Sequence, residues 1–257
     1  MLTNEEIRRI ALAQSATDYG CRPEDFLRDQ GSVTISRAHP QARKYLPLPL
    51  AFDMTSYGNC VVAQCREDLV PVAEAYIRAY DASHAFETPH LHALDALLSP
   101  YGLQTCFMAE YFLPEVEKLR ELPCAYKLRF LQQPDFTDLY KPEWSDALCA
   151  DRAELDVLGV GAYDGDTLVG LAACSADCPE MWQIGVNVLP RYRRQGIASA
   201  ITSRLALEIL ASGKVPFYCA AWCNLKSVRN AYRCGFRPAW VNVTARETEY
   251  VERINRR

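Results

Sequence analysis

The segment Val188-Leu189-Pro190-Arg191-Tyr192-Arg193-Arg194-Gln195-Gly196-Ile197-Ala198 concentrates residue types that can hold a pyrophosphate-like anion. It joins the end of an apolar, strand-like run to the start of a long helical pattern. The first turn of a helix leaves backbone N–H groups without intrahelical partners, and the macrodipole adds partial positive charge there. An anion can accept those donors where the backbone is approachable. Gly196 and Ala198 supply small side chains for that approach, and Arg191, Arg193 and Arg194 make the surroundings positive. Downstream, Asn224 is an N-cap candidate for a shorter helix that contains Ser227 and closes at Gly235-Phe236.

The elements that must position these residues follow from periodicity. Met181–Leu189 reads as a strand stopped by Pro190, and residues 196–212 as a helix with Ala198, Ile201, Leu205 and Ile209 on one face. Residues 215–222 read as a strand, and so do residues 239–246. Before them, residues 125–131, 155–163 and 167–174 alternate as strands, the last two joined at Asp164-Gly165-Asp166. Residues 133–152 look like short helices or loop.

The first half is mixed. Thr3-x-x-Glu6 is a capping box leading into Ile7, Ile10 and Ala11. Arg22-Pro23-Glu24-Asp25 starts a second helix. Residues 32–36, 50–55 and 60–64 are strand-like, with Tyr57-Gly58-Asn59 as a hairpin turn. Helices over 67–79 and 90–98 and a strand over 103–112 complete it.

Composition sets bounds. The chain has 257 residues, 49% apolar and 23% charged, as in a soluble globular protein of one or two domains. A net charge of −4 argues against a nucleic-acid binder, and no apolar run is long enough to span a membrane. The acidic, polar N-terminus lacks the features of a secretory signal. Eleven cysteines without a C-x-x-C pair read as buried thiols in a reducing cytoplasm, not as a disulfide framework or metal site. His90-x-His92 has no acidic or cysteine partner nearby in sequence, so no metal is expected. Residues 1–122 carry a net −6 and residues 123–257 a net +2; every His precedes residue 93 and every Trp follows residue 143. This asymmetry, with the Pro- and charge-containing stretch 113–123, suggests an N-terminal α+β domain over 1–122, a second domain over 123–250 and a basic tail over 251–257.

The second domain resembles the GNAT superfamily of N-acetyltransferases. Arg193, Gly196 and Ala198 fill its Arg/Gln-x-x-Gly-x-Gly/Ala motif, Val188-x-Pro190 precedes it, and Asn224-x-x-Ser227 with Gly235-Phe236 matches its second motif. The resemblance implies an α/β (α+β) fold: a mostly antiparallel sheet flanked by helices, with a cofactor cleft between two splayed strands. It implies acetyl-CoA as co-substrate and an amine as acceptor. Backbone at Val186, Asn187 and Val188 would pair with the pantetheine arm. The amides of Arg194, Gln195, Gly196, Ile197, Ala198 and Ser199 would hold the pyrophosphate beside Arg193, and Asn224 and Ser227 would touch the cofactor where the strands part. Residues 1–122 match no motif, and a degenerate GNAT-like copy there is compatible with their strand–helix rhythm.

The implied reaction, direct attack of an amine on a thioester, needs a base, an oxyanion donor and a proton for the leaving thiolate. The family's usual tyrosine position is Ala231 here. Its neighbour Tyr232 is the candidate acid, although its spacing from Leu225 and Val228 also fits a core stripe. The strand 181–189 contains no carboxylate. Glu180 at its start is the candidate base, with Asp177 just before it; both also fit solvated turn positions. Two rival readings are a catalytically silent acyl-CoA sensor and an acetyltransferase acting on a protein. A homodimer is left open.

Overall fold

A computed structural model describes residues 2–256. Along the chain run α1 (Asn4–Tyr19), β1 (Ser32–Ile35), β2 (Phe52–Ser56), β3 (Val62–Cys65), α2 (Val70–Ala79), α3 (Thr88–Leu98) and β4 (Leu103–Pro114). Then follow β5 (Lys127–Gln132), β6 (Asp156–Asp164), β7 (Thr167–Ser175), β8 (Met181–Val188), α4 (Ile197–Ala211), β9 (Val215–Ala220), α5 (Leu225–Arg233), β10 (Phe236–Glu247) and α6 (Thr248–Asn255). This is a mixed α/β protein whose strands pair mostly antiparallel and are flanked by helices.

The chain divides into two compact units that interleave in sequence. One holds Phe112–Pro238 with the chain up to Ile10; the other holds Ala11–Tyr111 with the chain from Ala239 onward. A single junction at 113–123 does not describe this grouping. α6 is helical through Asn255, so the described part of the segment read as a tail is ordered secondary structure.

In the unit built on Phe112–Pro238 the strand order is β9-β8-β7-β6-β5. β5 to β8 pair antiparallel, and β8 and β9 pair parallel because α4 connects them as a crossover. Successive residues of a strand point to opposite faces. On one face Gly170 of β7 lies under α4; a Cβ there would come within 2.7 Å of Ile197 Cγ2. α4 packs through Ile197, Ile201, Leu205 and Ile209, all buried and each contributing about 1.5–3 kcal/mol. On the opposite face Leu171 and Ala173 pack with Phe136, Trp144, Ala147 and Leu148 from the segment between β5 and β6.

The second unit has strand order β1-β3-β2-β10-β4. Phe52, Met54, Leu69, Tyr76, Leu94, Leu98 and Val243 form its main apolar cluster. A polar network is buried beside it. Asp53 accepts hydrogen bonds from the Tyr19 hydroxyl (2.6 Å), the Thr244 hydroxyl (2.6 Å) and Asn242 Nδ2 (3.0 Å), while Arg43 and Asp18 form a buried ion pair.

Three sequence expectations change. Pro23–Leu27 is a 3-10 turn, with the Arg22 N–H held by the Asp25 carboxylate at 2.9 Å, not an α-helix. β9 ends at Ala220, leaving Trp222 57% exposed. In α5 the stripe Leu225–Val228–Tyr232 does not face the core: Leu225 and Tyr232 are exposed, and Asn230 and Ala231 are buried. The helix turns its small and amide side chains inward because they meet α4, where Asn230 bonds Ser199 (2.9 Å) and Thr202 (3.1 Å).

Candidate functional site

β8 and β9 pair from Met181↔Val215 to Ile184↔Tyr218, and there the ladder ends. β8 runs on to Val188, still paired with β7 through Gly170↔Val188. Gly185 to Val188 therefore pair on one side, and their other edge carries main-chain donors and acceptors that an extended ligand can meet as an added strand would. Val186, Asn187 and Val188 are the residues that the sequence placed there.

Beyond Val188 the chain turns tightly into α4. Leu189 N–H extends the ladder to Val169 O (3.0 Å), and residues 190–192 form a 3-10 turn. Arg194 (φ 64°) and Gly196 (φ 83°) are both left-handed. Such alternation turns successive N–H groups toward one side, a concavity suited to an anion, directly before the unpaired amides of the first α4 turn. Sequence reasoning gave Gly196 the task of admitting a close neighbour. The structure adds a second cause: the positive φ at Gly196 favours glycine, although a Cβ there would meet no protein atom within 4 Å.

The arginines divide their work. Arg193 Nε donates to Val188 O (2.9 Å) and ties the loop to the strand end. Arg191 lies over the Tyr192 ring at 4.8 Å. Two contacts missed by the sequence reading fasten the loop from outside: the Tyr192 hydroxyl donates to Asp164 (2.9 Å), and the Tyr126 hydroxyl donates to Gln195 Oε1 (2.7 Å). No local pattern announces them, since the partners are far apart in sequence.

On the α4 side of the sheet Asn224 caps α5, its Oδ1 accepting from Ser227 N–H at 3.3 Å. The Ser227 hydroxyl lies 2.7 Å from that of Tyr218, the last residue of the β8–β9 ladder. Burial raises the Tyr218 phenol above its ordinary pKa, so it stays protonated and can donate. Ser199 donates its hydroxyl to Asn230 Oδ1 (2.9 Å), and its carbonyl accepts from Cys234 Sγ (3.3 Å).

The opposite face of the parted strands carries Gln183, Gly185, Asn187 and Cys219. Gln183 Nε2 donates to Cys219 Sγ (2.9 Å), and burial pushes that thiol up to about 11. A neutral thiol is a poor nucleophile. Residues 146 and 147 lie against this face. Asn187 Oδ1 accepts from the N–H groups of Asp146 (2.9 Å) and Ala147 (2.8 Å), and Asn187 Nδ2 donates to Asp146 Oδ2 (2.7 Å).

Of the two catalytic candidates from the sequence, Glu180 lies at the far end of β8. Glu180 precedes β8 and pairs with Lys214 at 3.3 Å; seven residues at a strand rise put it about 23 Å from Asn187. Asp177 is fully buried against Arg152 Nε (3.1 Å), not solvated. Tyr232 is 45% exposed, with its ring beside Phe112 (6.1 Å) and the Arg237 guanidinium (5.4 Å). Of His90 and His92, the former has Nδ1 on His84 O at 2.8 Å. Among the described residues no group of three or more His, Cys, Asp or Glu could hold a metal ion, and no helix is long and apolar enough to cross a membrane.

A family profile described as GNAT acetyltransferase matches residues 103–239, rather more than half of the chain. Among solved structures the chain is similar to a GCN5-related N-acetyltransferase from Kribbella flavida (17% identity, 58% of this chain and 62% of that one, TM-score 0.47). It is similar also to a GCN5-related N-acetyltransferase-like protein from Streptococcus suis (20%, 59% and 67%, 0.45). A third is a GNAT-family acetyltransferase from Colwellia psychrerythraea (16%, 62% and 62%, 0.45). The matched region thus spans about two thirds or less of these proteins' lengths. No curated protein matches the sequence.

Proposed function

The chain belongs to the GNAT acetyltransferase family, and on that premise we propose that it moves an acetyl group from acetyl-CoA to an amine by direct attack. The observation that carries the reading is the parting of β8 from β9 after Ile184↔Tyr218, next to the left-handed Arg194/Gly196 loop that opens α4. An edge that can pair with an extended arm and a concavity of amides that can hold an anion meet at one strand end. This fits the two chemistries of acetyl-CoA, whose thioester supplies an activated acyl group.

In this reading the main chain of Val186–Val188 binds the pantetheine arm, and residues 194–199 bind the pyrophosphate. Asn224 and Ser227 line the α4 side. Tyr218, with the Ser227 hydroxyl 2.7 Å away, supplies the proton for the thiol that leaves. The neutral Cys219 thiol leaves the incoming amine as the nucleophile. The amine is the acceptor class that the resemblance implies.

The test is thermal unfolding with acetyl-CoA, CoA and ATP, followed by release of free thiol in the presence of amines. A rise in midpoint with acetyl-CoA and CoA but not ATP, and amine-dependent thiol release, are expected. No rise with either CoA compound in folded protein would refute cofactor binding. A rise without thiol release for any amine or protein in cell extract would favour the silent-sensor reading.

A further inference from the structure

The sequence contains no carboxylate within β8, and Glu180 stands at its wrong end. We propose that Asp146 is the carboxylate that receives the acceptor amine, an assignment that rests on the acetyltransferase reading above. Gly170, paired with Val188, lies under Ile197, so α4 occupies that side of the sheet. Gly185 and Asn187 turn to the other side, and there the chain at 146–147 sits so close that a Cβ at Gly185 would overlap the Asp146 carbonyl oxygen. Asp146 is therefore at the parted segment of β8, on the face opposite the anion-binding turn. A donor bound from the α4 side and an acceptor entering from the Asp146 side would meet between the strands.

The hydrogen bonds separate holding from chemistry. Asn187 Oδ1 fixes the loop by accepting from both the Asp146 and Ala147 N–H groups. The loop is held further by Trp144, Ala147 and Leu148 in the apolar cluster. The carboxylate of Asp146 is not needed for that anchorage. It is solvent-exposed and takes one bond, at Oδ2 from Asn187 Nδ2 (2.7 Å), which orients it. An ionised carboxylate has about four lone-pair sites, so capacity remains for an ammonium group. Gln183 and the neutral Cys219 share this face and supply no competing charge.

The acceptor class that fits is a primary amine, cationic at neutral pH. Asp146 draws the ammonium in and takes one proton from it. The nitrogen then forms the C–N bond to the acetyl carbon as the C–S bond breaks. The Tyr218 hydroxyl protonates the departing thiolate, the second nitrogen proton released as the amide forms replaces the one Tyr218 gave, and Asp146 returns its proton to solvent. One proton is released overall. Asn187 acts as a positioning residue through its hold on Asp146.

The experiment compares wild type, Asp146→Asn, Asp146→Glu and Asn187→Ala. Each is assayed for acetyl-CoA affinity by calorimetry and for thiol release with spermidine, kanamycin, L-lysine and a peptide with a free N-terminus. Asp146→Asn should lower kcat/KM for the amine by at least about 100-fold, the usual size of a general-base contribution, with acetyl-CoA affinity unchanged. Asp146→Glu should restore part of the loss, and Asn187→Ala should give an intermediate loss. Transfer by Asp146→Asn at the wild-type rate, or an equal loss of acetyl-CoA affinity, would overturn the assignment while leaving the family reading intact. Failure of the wild type to bind acetyl-CoA or to acetylate any of these amines would instead sink the acetyltransferase reading, and this assignment with it.

Discussion

Gly196 separates the two causes that could reserve a position for glycine, and a charge pair of substitutions tests the anion site directly. At φ 83° any L-residue is strained, by roughly 1–2 kcal/mol, which for a chain of this size lowers the unfolding midpoint by about 2–8 °C. Gly196→Ala, Gly196→Glu and Gly196→Lys share that cost, because a Cβ meets nothing within 4 Å. Glu and Lys add comparable bulk but opposite charge. A unit charge about 4 Å from another contributes about 4 kcal/mol at an effective dielectric constant of 20, close to 10³-fold in affinity. Wild type with acetyl-CoA at 100 times its dissociation constant should gain about 2.7 kcal/mol, a rise of roughly 5–11 °C. Gly196→Glu should abolish that rise, and Gly196→Lys should bind far more tightly than Gly196→Glu. Thermal unfolding with and without ligand gives all the values. Equal ligand shifts in folded Glu and Lys variants would refute the placement of an anion at this turn, whatever the fate of Gly196→Ala.

Further outcomes follow from the same geometry. Gly185→Ala forces the 146–147 segment off β8, so it should cost about 1–3 kcal/mol by overpacking and reduce amine transfer more than acetyl-CoA binding; an unchanged midpoint would show that the loop does not rest there. Tyr218→Phe should lower kcat by about tenfold or more while Tyr232→Phe leaves it within about threefold, and the reverse order would move the proton donor to α5. Burial raises the Asp156 carboxyl from 3.8 to about 6, opposed by the Cys149 N–H and the Tyr140 hydroxyl. A carboxyl whose folded pKa lies above its unfolded value favours the fold below pH 4 and loses that contribution as pH rises through about 6. Both hydrogen bonds go to Oδ2, so Asp156→Asn can keep them while removing the charge. Its stability relative to wild type should rise between pH 4 and 7 by at most about 3 kcal/mol, read from denaturant midpoints; a difference independent of pH would contradict the assignment.

The sequence by itself determined the strand–turn–helix from Met181 to Ala211, because alternation, Pro190 and an amphipathic period are all local signals. It also determined the α5 cap at Asn224, since capping uses neighbouring residues, and the capping box at Thr3 and Glu6 is present for the same reason. Those signals sufficed to locate the turn proposed to bind an anion. They did not reach what depends on which faces meet. The spacing of Leu225, Val228 and Tyr232 looked like a core stripe, yet α5 turns Asn230 and Ala231 inward, because packing against α4 selects small and hydrogen-bonding groups over larger apolar ones. Asp177 resembled a turn residue until Arg152, distant in sequence, buried it in an ion pair. Asp146 lay in a stretch without periodicity, 41 residues from Asn187. Only the closing of the 142–148 turns over Gly185 brings its carboxylate to the parted strands. Local propensity writes the elements and their ends. Contacts across the sheet decide which side chains share a site, because hydrogen bonds and steric fit between distant segments have no period along the chain.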